Sequence, residues 1–261
     1  MAVNVLSIAG SDPSGGAGIQ ADIKAMHARR VHACAVPTCI TVQTQKGVRQ
    51  VKALEPSLVA AQVDALLEDT TISAIKVGVL CNAPIVRAVA RSLQRHADVP
   101  VVLDPVIMST SGYRLLDDHG VWAMSETLLP RARLITPNAD EASVLSRMPV
   151  RSQAEAQQAA VALQALGAQA VLIKGGHIAG ATSADVLFDG TAFHVFEAPR
   201  LTLGRTHGTG CLLSAVIAAE LGKGAGVVDA VRTAKAALLR ALERGTVHGG
   251  VLMPDPWALA D

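Results

Sequence analysis

Short runs of β-branched and leucine residues alternate along this chain with alanine-rich stretches of helical period, which restricts it to folds made of strand–helix–strand units. The first unit reads VNVLSIAG at 3–10, then a helix from about Ile19 to Arg29, then a strand around Val36 to Val42. An amphipathic helix follows Pro56, with Leu58, Val59, Val63, Leu66 and Leu67 as its apolar face, and AIKVGVL at 74–80 reads as a buried strand. Asn82 and Pro84 open a further helix toward His96. The strands PVVLD (100–104) and ARLIT (132–136) each end in a polar residue and a proline, where parallel sheets place their ligands.

Ser152 with Glu155 forms a capping box for a helix reaching Gly167, and AVLIKGG (170–176) is another buried strand running into a glycine turn. DVLFDGTAFHVF (185–196), with Asp189 and Gly190 at its middle, is the one clear hairpin. Helices from Cys211 to about Leu221 and from Asp229 to about Glu243 complete the order. Without linker, repeat or low-complexity segment, the pattern predicts one three-layer α/β/α domain over 1–261, its sheet mostly parallel and its hairpin at an edge.

Half of the 261 residues are apolar, which excludes a disordered chain. Lysine plus arginine (23) balances aspartate plus glutamate (22), so no one-signed field favours nucleic acid or an acidic membrane. MAVNVLSIAG lacks the character of a signal peptide, and no stretch approaches the ~20 apolar residues that span a bilayer, so a cytoplasmic protein is expected. Cys34, Cys39, Cys81 and Cys211 lack zinc spacing; the first three read as small core residues.

Cys211 has unusual surroundings. In THGTGC (206–211), Gly208 and Gly210 flank Thr209, and an apolar helix begins at the cysteine. Glycines let backbone N–H groups approach a phosphate, and a helix N-terminus adds partial positive charge, so the segment can form an anion hole for a transferring phosphoryl group. A tight turn with an inert cysteine is the plain alternative. A thiol at a helix N-terminus is expected to have a depressed pKa, and as a thiolate could accept a hydroxyl proton. No Lys-Ser or Lys-Thr follows the glycines, so the Walker pattern is absent.

The glycine-rich loop within IAGSDPSGGAGIQAD (8–22) lets backbone close around a flat ligand, but its spacing is not a dinucleotide fingerprint. Asp22 is either a solvated helix residue or a substrate contact. Lys174, at the end of a strand, either faces phosphates or snorkels from an edge. Asn138 and Glu141 share a helix face, as a plain N-cap or as a magnesium site through water. His207 either touches phosphate or orders the turn, whereas His27, His32, His96 and His119 read as surface residues.

Taken in order, GSDPSGGAGIQADIK, TVQTQKGV, KVGVL, VLDPV, LITPNADEA, VLIKGGH and THGTGC resemble the hydroxymethylpyrimidine and phosphomethylpyrimidine kinases of thiamine biosynthesis, members of the ribokinase-like superfamily. The resemblance covers nearly the whole chain. It implies a small-molecule substrate, phosphorylated from ATP with magnesium first at its hydroxymethyl group and then on the resulting monophosphate. It also implies a homodimer. Cys211 matches the family's catalytic base, and Gly208, Thr209 and Gly210 its anion hole. Gly10, Ala17, Asp22, Gln43, Val79 and Val106 match positions around the pyrimidine. Lys174, Asn138 and His207 match positions near ATP phosphates, and Glu141 with Asp104 those near magnesium.

Thr44, Gln45, Val79, Arg205 and Leu212 depart from the common family pattern, which bears on ring contacts and pocket volume. A pyridoxal or pyridoxine kinase is the alternative within the class. A cysteine hydrolase built on Cys211 and a non-catalytic sensor on the same fold are the alternatives outside it. The sequence does not show whether a flap closes over the site; TVQTQKGV (41–48) and the turns after Gly176 are the candidate mobile pieces.

Overall fold

The computed structural model describes residues 3–177, 182–201 and 204–260. The expected turns after Gly176 therefore lie largely outside the described residues.

Among the described residues, nine strands form one sheet. In chain order they are β1 (Asn4–Ser11), β2 (His32–Thr44), β3 (Gly47–Ala53), β4 (Ile72–Val77), β5 (Val101–Leu103), β6 (Leu134–Ile135), β7 (Val171–Ile173), β8 (Thr182–Phe188) and β9 (Phe193–Pro199). Across the sheet the order is β3-β2-β1-β4-β5-β6-β7-β8-β9. All pairings from β2 through β7 are parallel, while β3 at one edge and β8 with β9 at the other are antiparallel. The expected hairpin is β8–β9, and β9 is indeed an edge strand.

Strand alternation decides the two cores. Leu6, Ile8, Ile75, Val77, Leu103 and Ile135 face one side, where α2 (Pro56–Asp69), α3 (Ala83–Gln94), α4 (Asp118–Thr127), α5 (Ala139–Ser146) and α6 (Gln153–Ala165) cover them. Val5, Ala74, Val102, Leu134 and Leu172 face the other, under α1 (Gly18–Ala28), α7 (Thr209–Gly222) and α8 (Val227–Glu243). The result is the three-layer α/β/α sandwich. A small second sheet, β10 (Arg205–Thr206), β11 (Thr246–His248) and β12 (Val251–Met253), holds the approach to α7.

Three local expectations change. Leu58 is 52% exposed, because the buried line of α2 runs through Val59, Val63 and Leu67. Ser152 caps α6 by accepting from the Glu155 N–H, but the Glu155 carboxylate turns to the Arg151 N–H, so the capping box is only half made. Residues 41–48 form a second hairpin, with Gln45 and Lys46 in the turn between β2 and β3.

The direction of travel across the sheet reverses between β1 and β4: the chain steps from β1 outward to β2 and β3, then returns to β4 on the other side of β1. Strands that part in this way leave a crevice beyond their carboxyl ends.

Candidate functional site

A cleft of about 690 Å³ opens at that crevice. Its floor comes from the ends of the parallel strands: Gly10 and Ser11 at the end of β1 with Asp12 just after it, Val79 after β4, Asp104 and Val106 after β5, Asn138 after β6 and Lys174 after β7. Residues 206–211 form one wall.

Helix α7 starts in this wall. Gly208 is its N-cap at φ +76°, and a Cβ there would stand 1.7 Å from the Gly16 carbonyl oxygen. A Cβ at Gly210 would stand 3.1 Å from Lys174 Nζ. Gly208, Thr209, Gly210 and Cys211 all line the cleft, so the N-terminus of a buried, mostly apolar helix points its free N–H groups into it.

Lys174 does not snorkel outward. Its ammonium donates to Asp104 Oδ1 at 2.9 Å and stands 4.0 Å from Glu141 Oε2. Asp104 also accepts from the Thr136 and Ser214 hydroxyls, each at 3.2 Å. Burial pushes its carboxyl upward, but Lys174, Lys76 and these hydrogen bonds hold it below the usual carboxylate range. Glu141 differs: burial pushes it up to about 7, with Asp104 adding to the rise and Lys174 opposing it.

Asn138 and Glu141 make the full capping box of α5, at 2.9 and 2.8 Å, and both also line the cleft, so the cap and the site are the same residues. Asp104 and Glu141 are a sparse carboxylate pair. Among the described residues no group of three or more histidines, cysteines, aspartates or glutamates is placed to hold a metal ion. Magnesium commonly takes one or two carboxylates and completes its shell with phosphate and water, so this donor set fits it.

The thiol of Cys211 corrects one expectation. Instead of being depressed by the helix N-terminus, it is pushed up to about 11, because burial outweighs the rest. Lys76 is the strongest opposing charge, Asp22 and Asp104 add to the rise, and the Gly18 N–H donates to the sulfur.

Asp22 corrects a second. It does not line the cleft, and it is not solvated. On the side of β4 facing α1, fully buried Lys76 donates to both Asp22 oxygens at 3.0 and 2.8 Å, and the Ser7 hydroxyl donates to Oδ2 at 2.6 Å. Burial alone would lower the Lys76 ammonium; the adjacent Asp22 carboxylate reverses this and raises it.

At the other end of the cleft stand Gly10, Ala17, Gln43, Val79 and Val106, with Cys39 beside Gly10. His207 Nε2 lies 2.9 Å from Asp12 Oδ2 and 3.3 Å from Gln43 Nε2, so it is directed at these two groups and not at a cysteine. Of the five departures from the family pattern only Val79 lines this cleft; Leu212 is buried beneath it and Arg205 is exposed.

Sequence reasoning singled out neither Asp12 nor Lys76. A lysine inside an otherwise apolar strand was the available signal for the latter. It also missed Lys235, which pairs with Asp185 at 2.8 Å, and Leu238, Leu239 and Leu242 of α8, which give the cleft an apolar flank. No helix among the described residues is long and apolar enough to cross a membrane.

A family model for phosphomethylpyrimidine kinase matches residues 12–254. The hydroxymethylpyrimidine/phosphomethylpyrimidine kinase of Salmonella typhimurium is 44% identical over 241 residues, 92% of this chain and 91% of that protein. Among solved structures, the ADP complex of Bacillus subtilis pyridoxal kinase superposes with a TM-score of 0.90 at 33% identity, covering 99% of both chains. The phosphomethylpyrimidine kinase of Clostridium difficile superposes with a TM-score of 0.82 at 33% identity, covering 92% of this chain and 99% of that one. With a ribokinase-like sandwich, a cleft at the sheet's switch point and a match along most of its length, this chain belongs to the phosphomethylpyrimidine kinase family.

Proposed function

We propose that the whole of 1–261 is one kinase domain that transfers the γ-phosphoryl group of ATP to 4-amino-5-hydroxymethyl-2-methylpyrimidine, and then to the monophosphate so formed, in thiamine diphosphate biosynthesis. The observation that carries this reading is the cradle at the start of α7, set between the Lys174–Asp104 pair on one side and a pocket of small and apolar residues on the other. One end suits a triphosphate and the other a flat ring.

In the first reaction the substrate hydroxyl oxygen bonds to the γ-phosphorus while the bond to the bridging oxygen of ADP breaks, and the hydroxyl proton passes to Cys211 Sγ. The sulfur must be a thiolate to accept it, and with the thiol pushed up to about 11 that form is a minor one at pH 7, so turnover should rise with pH. Buried Lys76 is the charge that most favours that form, against the burial that opposes it. The N–H groups at 208–211 are fixed where charge gathers on the phosphoryl oxygens, and Lys174 faces the same region. Asp104 and Glu141 are the residues that would hold magnesium, which would supply neutralisation of the triphosphate. His207, on the same wall, pairs with Asp12 and approaches Gln43, so it belongs to the ring end of the cleft. Gly10, Ala17, Gln43, Val79 and Val106 enclose the ring.

Cys211→Ala is expected to lower ADP release by two or more orders of magnitude, about 3 kcal/mol or more of barrier, while ATP still binds by calorimetry. Near-normal turnover would remove the cysteine from the mechanism. A pyridoxal kinase is the second reading, favoured by the superposition on the Bacillus subtilis enzyme. Comparing ADP release with hydroxymethylpyrimidine, its monophosphate, pyridoxal and pyridoxine separates the two. The proposal includes a homodimer in the cytoplasm: Ile40 and Val42 on β2 offer exposed apolar surface to a second copy, which light scattering checks.

A further inference from the structure

Three polar groups from distant parts of the chain meet at the ring end of the cleft. Asp12, where the chain leaves β1, accepts from the Ser14 N–H, the Ser14 hydroxyl and the Ala17 N–H, each at 2.9 Å. His207 Nε2 stands 2.9 Å from its Oδ2, and the amide end of Gln43 lies 3.3 Å from that same nitrogen. All three residues line the cleft.

Hydrogen-bond chemistry permits one arrangement of these groups. Burial pushes the Asp12 carboxyl upward, but the bonds from His207 and Ser14 more than offset it and hold it below the usual range, so it is ionised at neutral pH. A carboxylate only accepts, so His207 Nε2 carries a hydrogen directed at Oδ2. A ring nitrogen carrying a hydrogen has no in-plane lone pair for an incoming N–H. The end of the Gln43 amide that can face it is therefore the oxygen, and the two ends of an amide differ in hydrogen bonding although not in shape.

We propose that Asp12 and His207 are positioning residues that set the polarity of Gln43: the Nε2–H of His207 is shared by Asp12 Oδ2 and Gln43 Oε1, which turns the Gln43 NH2 group into the cleft as a donor to a ring-nitrogen lone pair of the substrate. A glutamine free to rotate reads donors and acceptors alike; one preset by a neighbour rejects a ring that offers a C–H there. Asp12 keeps the imidazole from turning because its own carboxylate is pinned by the 12–17 loop. The inference rests on the cleft being the pocket for a hydroxymethyl heteroaromatic.

Two measurements test it. Long-range ¹H–¹⁵N spectra of the full chain without ligand should show His207 protonated at Nε2; a bare Nε2 with hydrogen on Nδ1 alone overturns the proposal. This readout needs no substrate, so it fails independently of the functional reading, which fails if no pyrimidine yields ADP. The second measures KM and kcat for hydroxymethylpyrimidine and for its two analogues with one ring nitrogen replaced by C–H. In the unaltered protein, at least one analogue should show a KM raised about tenfold or more. His207→Leu should collapse that KM ratio toward one, and His207→Asn, which restores an N–H donor, should recover part of it. Equal KM for all three rings in the unaltered protein overturns the proposal, as does a His207→Leu variant that lowers kcat while keeping the full KM ratio.

Discussion

At Gly208 a methyl group has nowhere to go, since φ is +76° and a Cβ would meet the Gly16 carbonyl oxygen at 1.7 Å. Gly208→Ala therefore combines left-handed strain with a collision between two backbones, and we expect a loss of about 3 kcal/mol or more in urea unfolding together with loss of ADP release. Cys211 allows a different check. With its thiol pushed up to about 11, it is neutral at pH 7, so iodoacetamide labelling of the Cys211 peptide should keep rising from pH 7 to 10 without levelling. A plateau below pH 8 would show that Lys76 outweighs burial. The glycine turn into α7 could be read from sequence because its glycines, threonine, cysteine and apolar helix are contiguous. The Lys76–Asp22 pair could not: its partners lie 54 residues apart and meet only when α1 packs on the sheet. The same packing is why Asp22 looked like a surface or substrate residue, and why the helix N-terminus alone misjudged the thiol.

Two helix caps separate stability from function. Asn82 accepts from the Ile85 N–H at 3.1 Å to start α3, and Asn138 accepts from the Glu141 N–H at 2.9 Å to start α5. Alanine at either position should cost about 1 kcal/mol, seen as a lower urea midpoint. Only Asn138→Ala should also raise the KM for ATP, because its capping box holds Glu141 at the cleft. An equal effect of both variants on KM would mean that α5 contributes to the site only through stability. Continuous apolar runs and strong helical periods were both legible, the former in β1, β4 and α7 and the latter in α3. The β2–β3 hairpin was not, since its turn is Gln45–Lys46 and the glycine follows the turn instead of lying in it. Leu58 failed for geometric reasons: it sits one residue, about 100° of helix, from the line of Val59, Val63 and Leu67.

For the molecule as a whole, the order of the strands could not be read from the chain, yet strands ending in a polar residue and a proline did mark the edge where the cleft lies. Which residues meet there depends on the reversal between β1 and β4, a property of the sheet and of no single segment. One global property follows from the cleft's chemistry. Glu141 is pushed up to about 7 by burial, above the 4.5 of an ordinary glutamate, so the folded chain keeps a proton that the unfolded chain releases. Its contribution to stability is fully present below about pH 4.5 and is lost as pH rises through about 7. Urea midpoints across that window should fall for the unaltered protein more than for Glu141→Gln; parallel curves would contradict the burial argument. The contact of Gly208 with Gly16, and the seating of α7 against α1, β1 and β4, also have a consequence in time. A ribosome delivers residue 16 early and residue 208 late. A nascent chain halted before α7 already has the nine described strands of the large sheet, since β9 ends at Pro199, but on the face that α7 and α8 will cover it has only α1. The contact between Gly16 and Gly208 can therefore close only after those strands are made, and the part of the sheet face outside α1 is what a chaperone would meet until then.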